Sequence, residues 1–194
     1  PGISGIVRIT MKLIIVDMDG TLFDTKDVNY HAYRQALAEH GFELDYDYYR
    51  NYCNGRHYTQ FLPGITTQDK QILSEIHSRK KALYPVFLDK ARPNEHLVSI
   101  LRALGGTYAT ALVTTASKAN CDDILNHFQL TELFDLVLTH DDIIHSKPDP
   151  EGFLKAMAHF GALPEDTIIF EDSDVGLEAA KRSGACYYQT FGFN

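Results

Sequence analysis

Asp17 and Asp19 flank a single methionine in the run Asp17-Met18-Asp19-Gly20-Thr21. On an extended chain alternate side chains share a face, so both carboxylates can reach one ligand before the chain turns at Gly20. Gly20 also lets backbone N–H groups approach an anion closely. A second acidic pair, Glu171 and Asp172, lies far downstream, with Thr114, Thr115 and Lys147 between. Carboxylates brought together repel one another unless a cation separates them. A hard divalent ion such as Mg2+ takes a few carboxylate oxygens, water and a substrate phosphate. Lys147 and the threonine hydroxyls are donors of the kind that phosphate oxygens need. Paired carboxylates can also divide a hydrolysis between them, one as nucleophile and the other as acid and then base.

These residues need a scaffold, and the sequence around them supplies one. Lys12 to Val16 is a short apolar, β-branched run of the kind buried on both faces of a parallel sheet. Similar runs recur at Tyr108 to Val113, Leu133 to Leu138 and Thr167 to Phe170, and helix-like segments separate the last three. The alternation predicts an α/β fold with a doubly wound, mainly parallel sheet. In such sheets ligands bind beyond the carboxyl ends of the strands, so Asp17 and Asp19, Thr114 and Thr115, Lys147, and Glu171 and Asp172 are expected to converge on one crevice. Taken singly, each has a plainer reading: a strand-end Asp as a cap, a threonine as turn chemistry, Lys147 as a solvated lysine, the Glu171–Asp172 pair as charges for the next helix. Asp24, standing alone, keeps the cap or turn reading. For the others, placement at the same end of successive apolar strands outweighs it.

From about Thr25 to Arg92 no comparable strand run appears, and the segment reads as helices. Ala32, Tyr33, Ala36 and Leu37 have helical spacing, with Gly41 where a C-terminal cap is expected. Thr66 or Thr67 is placed to cap a second helix through Ile72, Leu73, Ile76 and Leu83, which Pro85 ends or kinks. A third, from Asn94 to Leu104, stops at Gly105-Gly106 and leads into the second strand. The expected division is an α/β core over 11–24 and 93–194, a helical insertion over 25–92, and residues 1–10 as a processing remnant or flexible N-terminus.

Composition narrows the class. At 194 residues the chain can bury a sizeable core, and no apolar run approaches the roughly 18 residues of a membrane span. A net charge of −8 disfavours a general nucleic-acid grip and suits a cation site. Cys53, Cys121 and Cys186 are odd in number and far apart, and the nine histidines show no paired spacing, so neither disulfides nor zinc are signalled. Reduced thiols in the cytoplasm are the simplest reading, in a monomer or small homo-oligomer that contacts neither membrane nor nucleic acid.

Four stretches resemble the motifs of the haloacid dehalogenase superfamily, in its phosphoglycolate phosphatase and β-phosphoglucomutase-like branch with a helical cap. They are Asp17-Met-Asp-Gly-Thr-Leu-Phe-Asp24, Ala111-Leu-Val-Thr-Thr115, Ser146-Lys-Pro-Asp-Pro150 with Phe153, and Ile168-Ile-Phe-Glu-Asp-Ser-Asp-Val-Gly176 with Glu178-Ala-Ala180. The resemblance spans about Met11 to Ala185, the first motif being its most specific part. It implies Asp17 as nucleophile and metal ligand, and Asp19 as acid and base with its backbone carbonyl on the metal. It implies Thr114 as phosphoryl holder, helped by backbone N–H groups near Gly20 and Thr115. Lys147 would stabilise the nucleophile and the transferred group, and Asp172, with Glu171 beside it, would anchor Mg2+. Thr114 is taken over Thr115 because it directly follows the apolar strand.

The helical insertion resembles the family's cap, which closes over the site and selects substrate. In its Asn54-Gly-Arg-His57 break, Arg56 or His57 is placed to contact substrate, while Tyr46, Tyr48, Tyr49, Tyr52 and Tyr58 read as cap packing. Ser146 stands where many relatives have glycine. The expected activity is a Mg2+-dependent phosphatase acting on a small phosphorylated metabolite through a phosphoaspartate, with a phosphosugar mutase as the alternative. Dehalogenation is disfavoured because halide needs no proton on leaving. A non-enzymatic phosphoacceptor is disfavoured by the insertion, and a dead scaffold by the intact set of reactive groups.

Overall fold

The structure, a computed structural model, describes residues 12–191 and 193; residues 1–10, read above as a remnant, lie outside them. β1 (Leu13–Val16) occupies the centre of a five-stranded parallel sheet. β4 (Ala109–Val113) and β6 (Thr167–Glu171) flank it, with β5 (Leu136–Leu138) and β7 (Cys186–Gln189) at the edges. Register pairs Val16 with both Leu112 and Phe170, so the chain leaves β1, β4 and β6 at one level.

Why β1 is apolar throughout follows from its two covered faces. Ile14 and Val16 pack with Leu97, Val98 and Leu101 of α5 (Glu95–Leu104) and with Cys121, Ile124 and Leu125 of α6 (Lys118–His127). Leu13 and Ile15 point the other way, into Phe153, Ala156 and Met157 of α7 (Glu151–Phe160) and Ala179 and Ala180 of α8 (Asp174–Ser183). Every β1 side chain is thus lost from water, each full burial contributing about 1.5–3 kcal/mol.

After β1 the chain forms β2 (Phe23–Asp24) and enters four helices: α1 (Lys26–Ala38), α2 (Tyr46–Tyr48, continued by a π turn over Tyr49–Cys53), α3 (Tyr58–Ile65) and α4 (Lys70–Leu83). A 3-10 segment, Tyr84–Lys90, brings it to β3 (Arg92–Pro93), which pairs antiparallel with β2. The helices close around their own core of Tyr30, Tyr33, Tyr49, Phe61, Leu73 and Ile76. Tyr84 and Leu88 instead join the sheet-side core.

Several expectations are revised. α4 is capped by Asp69, whose carboxylate accepts from Gln71 N at 2.9 Å, while Thr66 Oγ1 donates to Leu62 O within the preceding turn. β5 starts only at Leu136, because Thr131–Leu133 forms a 3-10 turn. β7 was unforeseen: Cys186-Tyr-Tyr-Gln189 is exposed along its length and lacks the apolar run of a covered strand. Asp24 accepts from Lys26 N at 3.3 Å, a turn role, and also pairs with Arg92 across the β2–β3 junction at 2.7 Å. Of the tyrosines read as packing, Tyr48 and Tyr52 are exposed.

Candidate active site

Asp17 follows β1, its N–H held by Phe170 O of β6 at 3.0 Å. Its Oδ1 lies 2.5 Å from Lys147 Nζ, which also reaches Glu171 Oε1 at 2.6 Å and Val113 O at 3.4 Å. All three side chains are at most 9% exposed. Lys147 is brought to this point by a pinned loop. Glu151, at the start of α7, accepts from Ile144 N and His145 N at 2.9 and 2.8 Å, Arg182 of α8 donates to Pro148 O at 2.9 Å, and the ammonium lies 5.2 Å from the centre of the Phe153 ring.

Glu171, the last residue of β6, has its second oxygen engaged by Ser173 N and Oγ at 2.8 and 3.0 Å. Gly176 explains how a helix can sit on it: a Cβ there would fall 1.9 Å from the Glu171 carboxyl carbon. The first turn of α8, capped by Ser173, is therefore pressed against a buried carboxylate, an arrangement the helix N-terminus favours. Asp172 accepts from Thr21 Oγ1 at 2.9 Å and lies against Gly20, where a Cβ would come within 2.2 Å of its Oδ2. Gly20 also has φ +89°, so glycine is required there both for conformation and for space.

Asp17, Glu171 and Asp172 each offer an oxygen within 4.8 Å of the others'. Three carboxylates thus face one ammonium. Burial above all raises the Asp17 carboxyl well above its ordinary value, Lys147 acting against it and Glu171 with it. Asp172 is pushed up to about 6, first by burial and then by Glu171. Burial works to lower the Lys147 ammonium, but Asp17 and Glu171 outweigh it and hold it above the usual lysine value. The donor set, all hard oxygen and two positive charges short of balance, fits a divalent cation such as Mg2+.

Asp19 stands apart from this cluster. Its Oδ1 accepts from Thr25 Oγ1, which in turn accepts from Asn29 Nδ2 of α1 at 3.3 Å. Burial raises its carboxyl, opposed by the Thr25 bond and by Lys80 and Lys147. Thr114 is buried, with its N–H on Leu138 O at 2.9 Å and its Oγ1 accepting from Ala116 N at 3.0 Å; Thr115 is exposed. Arg56 lies in the exposed turn before α3, and no contact among the described residues links it to the carboxylates.

Lys80 was not foreseen. It lies on the buried face of α4 with Leu73, Ile76 and Leu83, its ammonium 5.2 Å from the ring centres of both Tyr33 and Tyr84 and in no ion pair among the described residues. Burial pulls it down to about 8, with Asp19 the carboxylate that opposes this. A lysine interrupting an apolar helical stripe was the available signal. Thr21, Thr25 and Ser173 were passed over because each reads as an ordinary turn or cap residue until its distant partner is seen.

Comparison with known proteins places the chain in a family. The family model described as haloacid dehalogenase-like hydrolase matches residues 14–188. A fructose-1-phosphate phosphatase of Escherichia coli is 30% identical, over 88% of this chain and 92% of its own. A β-phosphoglucomutase of Bacillus subtilis is 26% identical, over 90% of this chain and 80% of its own. The crystal structure of CbbY from Rhodobacter sphaeroides in complex with phosphate, 24% identical, superposes with a TM-score of 0.78 over 95% of this chain and 88% of that one. The chain belongs to the haloacid dehalogenase-like hydrolases, in their phosphoglycolate phosphatase and β-phosphoglucomutase-like branch.

Proposed function

We propose that this enzyme hydrolyses a small phosphorylated metabolite of carbohydrate type through a phosphoaspartate on Asp17. One observation carries the reading: a buried carboxylate, Asp17, is held by Lys147 at 2.5 Å beside Glu171 and Asp172, with a second carboxylate, Asp19, two residues on. The fructose-1-phosphate phosphatase relative supports the substrate class.

In this mechanism an Asp17 oxygen attacks phosphorus and the ester P–O bond breaks, while Asp19 gives its proton to the leaving oxygen. Water then attacks the phosphoaspartate, loses its proton to Asp19, and inorganic phosphate leaves. Asp19 suits both halves because burial raises its carboxyl while Lys80 and Lys147 keep ionisation within reach. Lys147 fixes the Asp17 carboxylate and offers a charge-assisted donor to the transferred group. Thr114, with backbone N–H groups near Gly20 and Thr115, supplies further donors. Asp17, Asp172, Glu171 and the Asp19 backbone carbonyl would hold Mg2+, which when bound offsets charge on the phosphoryl oxygens. Asp19 makes full sense where the leaving oxygen takes up a proton, and a group leaving without one has no need of it. With its cysteines unpaired, a reducing cytoplasmic setting suits the chain.

The test is phosphate release from a panel of small phosphomonoesters, with and without Mg2+, in wild type and Asp19→Ala. Release that needs Mg2+ and is lost in Asp19→Ala supports hydrolysis. A long-lived phosphoenzyme without release favours the phosphosugar mutase reading, which the Bacillus subtilis relative keeps open. Undiminished release in Asp19→Ala would exclude the acid and base role.

A further inference from the structure

Two residues outside the reacting set, Asn94 and Thr190, converge on Thr21. Thr190 directly follows β7, its N–H held by Glu171 O at 2.7 Å, and Asn94 directly precedes α5. Thr21 is fully buried, and its hydroxyl donates to Asp172 Oδ1 at 2.9 Å. Thr190 Oγ1 donates to Thr21 Oγ1 at 3.4 Å. Asn94 Nδ2 donates to Thr21 O at 3.2 Å and Asn94 N to Leu22 O at 2.8 Å. Its Oδ1 accepts from Leu97 N at 3.2 Å and so caps α5. The loop that carries Thr21 is therefore tied to the edge strand on one side and to a helix cap on the other.

The direction of these bonds decides what they do. A threonine hydroxyl has one proton to give and lone pairs with which to accept, whereas an ionised carboxylate only accepts. The Thr21 proton must therefore point at Asp172, and Thr190, which meets the same Thr21 oxygen, must be the donor to it. Hydroxyls in such a row polarise one another, and the carboxylate at its end is a charged acceptor. At 3.4 Å the Thr190 bond is long, so its share is smaller than that of the 2.9 Å bond it directs. Asn94 acts at the other end of Thr21, holding its carbonyl and hence the placement of its hydroxyl against Asp172. Groups beyond the ligands that orient a ligating carboxylate change metal affinity by about 10–100-fold when removed.

We propose that Thr190 and Asn94 are positioning residues of the cation site: acting through Thr21, they hold the Asp172 carboxylate where it can share a divalent cation with Asp17 and Glu171. This rests on the Mg2+ reading above and extends it. The end of the edge strand β7 and the cap of α5 help to set the metal affinity of a site to which neither contributes a ligand.

The experiment measures Mg2+ binding to the full chain by isothermal titration calorimetry, with metal-free melts alongside, for wild type, Thr21→Ser, Thr21→Val, Thr190→Val and Asn94→Ser. Valine keeps the shape of threonine without its hydroxyl. That matters at Thr190, which with Asn94 lines an open cleft of about 490 Å3 from which water could replace a truncated side chain. Serine caps a helix about as well as asparagine but cannot carry an amide to Thr21 O. Thr21→Val is expected to raise the Mg2+ Kd by about 10–100-fold, and Thr190→Val and Asn94→Ser by about three- to tenfold. Thr21→Ser, which keeps the hydroxyl, is expected to stay within about twofold of wild type. Thr190 and Asn94 are half-buried, so their variants decide the matter even where Thr21→Val does not fold. A merely structural role would lower the metal-free Tm and leave Kd alone, and that result in Thr190→Val and Asn94→Ser would overturn the proposal, as would Thr21→Ser binding as weakly as Thr21→Val. Failure of the Mg2+ reading shows separately: wild type then binds no Mg2+, and the positioning role falls with it.

Discussion

The two faces that meet at Asp19 are built on opposite terms. On the sheet side Lys147 has two carboxylate partners, Glu171 has both oxygens bonded, and Asp172 is fixed by Thr21 and Gly20. On the cap side Lys80 makes no ion pair among the described residues, and beneath it, where the chain returns to the sheet-side core, Tyr84 Oη is the one buried side-chain polar atom without a hydrogen bond among them. Unpaired buried polar groups cost about 1–3 kcal/mol each. The core carboxylates and Lys147 are thus held by one another, while Lys80 and Tyr84 Oη lack such partners among the described residues. On the proposed mechanism the preorganised core charge serves the transition state.

The largest effect expected from breaking this contrast is on the core. Asp17→Asn keeps the shape but removes the proposed nucleophile, and turnover should fall by at least about ten-thousandfold, measured as steady-state phosphate release. Chelating the metal should abolish turnover reversibly, and it should also alter the pH dependence of stability. In the metal-free protein Asp17 is raised well above its ordinary value and Asp172 to about 6 from 3.8, so the folded state keeps protons that the unfolded chain has lost. That contribution is fully present below about pH 4 and is lost as pH rises through about 6. Tm without metal should therefore decline from pH 4 to 7, and Mg2+ should flatten the decline; identical profiles would mean that the carboxylates hold no cation.

Next come two lysines changed in the same way. Lys147→Met leaves Glu171 and Asp17 buried without their cation, and should cost about 3–5 kcal/mol of stability as well as activity. Lys80→Met removes a buried ammonium that has no carboxylate partner, so Tm should hold or rise while kcat/KM falls by about tenfold to a hundredfold. Paired thermal melts and kinetics decide this. A large drop in Tm for Lys80→Met would place that residue among the structural groups.

This division also sets what the sequence could reveal. Asp17, Thr114, Glu171 and Asp172 follow or end strands whose both faces are covered, so uninterrupted apolar runs pointed to them. Lys147 lacked that signal, being set by a loop pinned from α7 and α8, and was legible through its motif. The cap groups had no such marker. Lys80 approaches Asp19 across more than 60 residues of chain through helix packing, which no local pattern encodes. Fold legibility fails at similar points. β7 lies at an exposed edge and carries no apolar run, and Thr66, Thr67 and Asp69 compete within four residues for one helix cap.

The smallest expected effect tests the contrast most finely. Tyr84 is 2% exposed, with its ring beneath Lys80 and its hydroxyl unpartnered. Tyr84→Phe keeps the ring, and therefore the cation–π contact and the core packing, and removes only the oxygen. If that oxygen awaits a substrate hydroxyl, its loss should stabilise the free enzyme by about 1 kcal/mol, raising Tm by about 2–4 °C in a chain of this size. KM for the preferred phosphomonoester should rise a few-fold with kcat nearly unchanged, because the lost contact is made equally in ground and transition states. A fall in Tm would show instead that a bound water already satisfies the hydroxyl, and the junction beneath Lys80 would then be as complete without substrate as the carboxylate cluster.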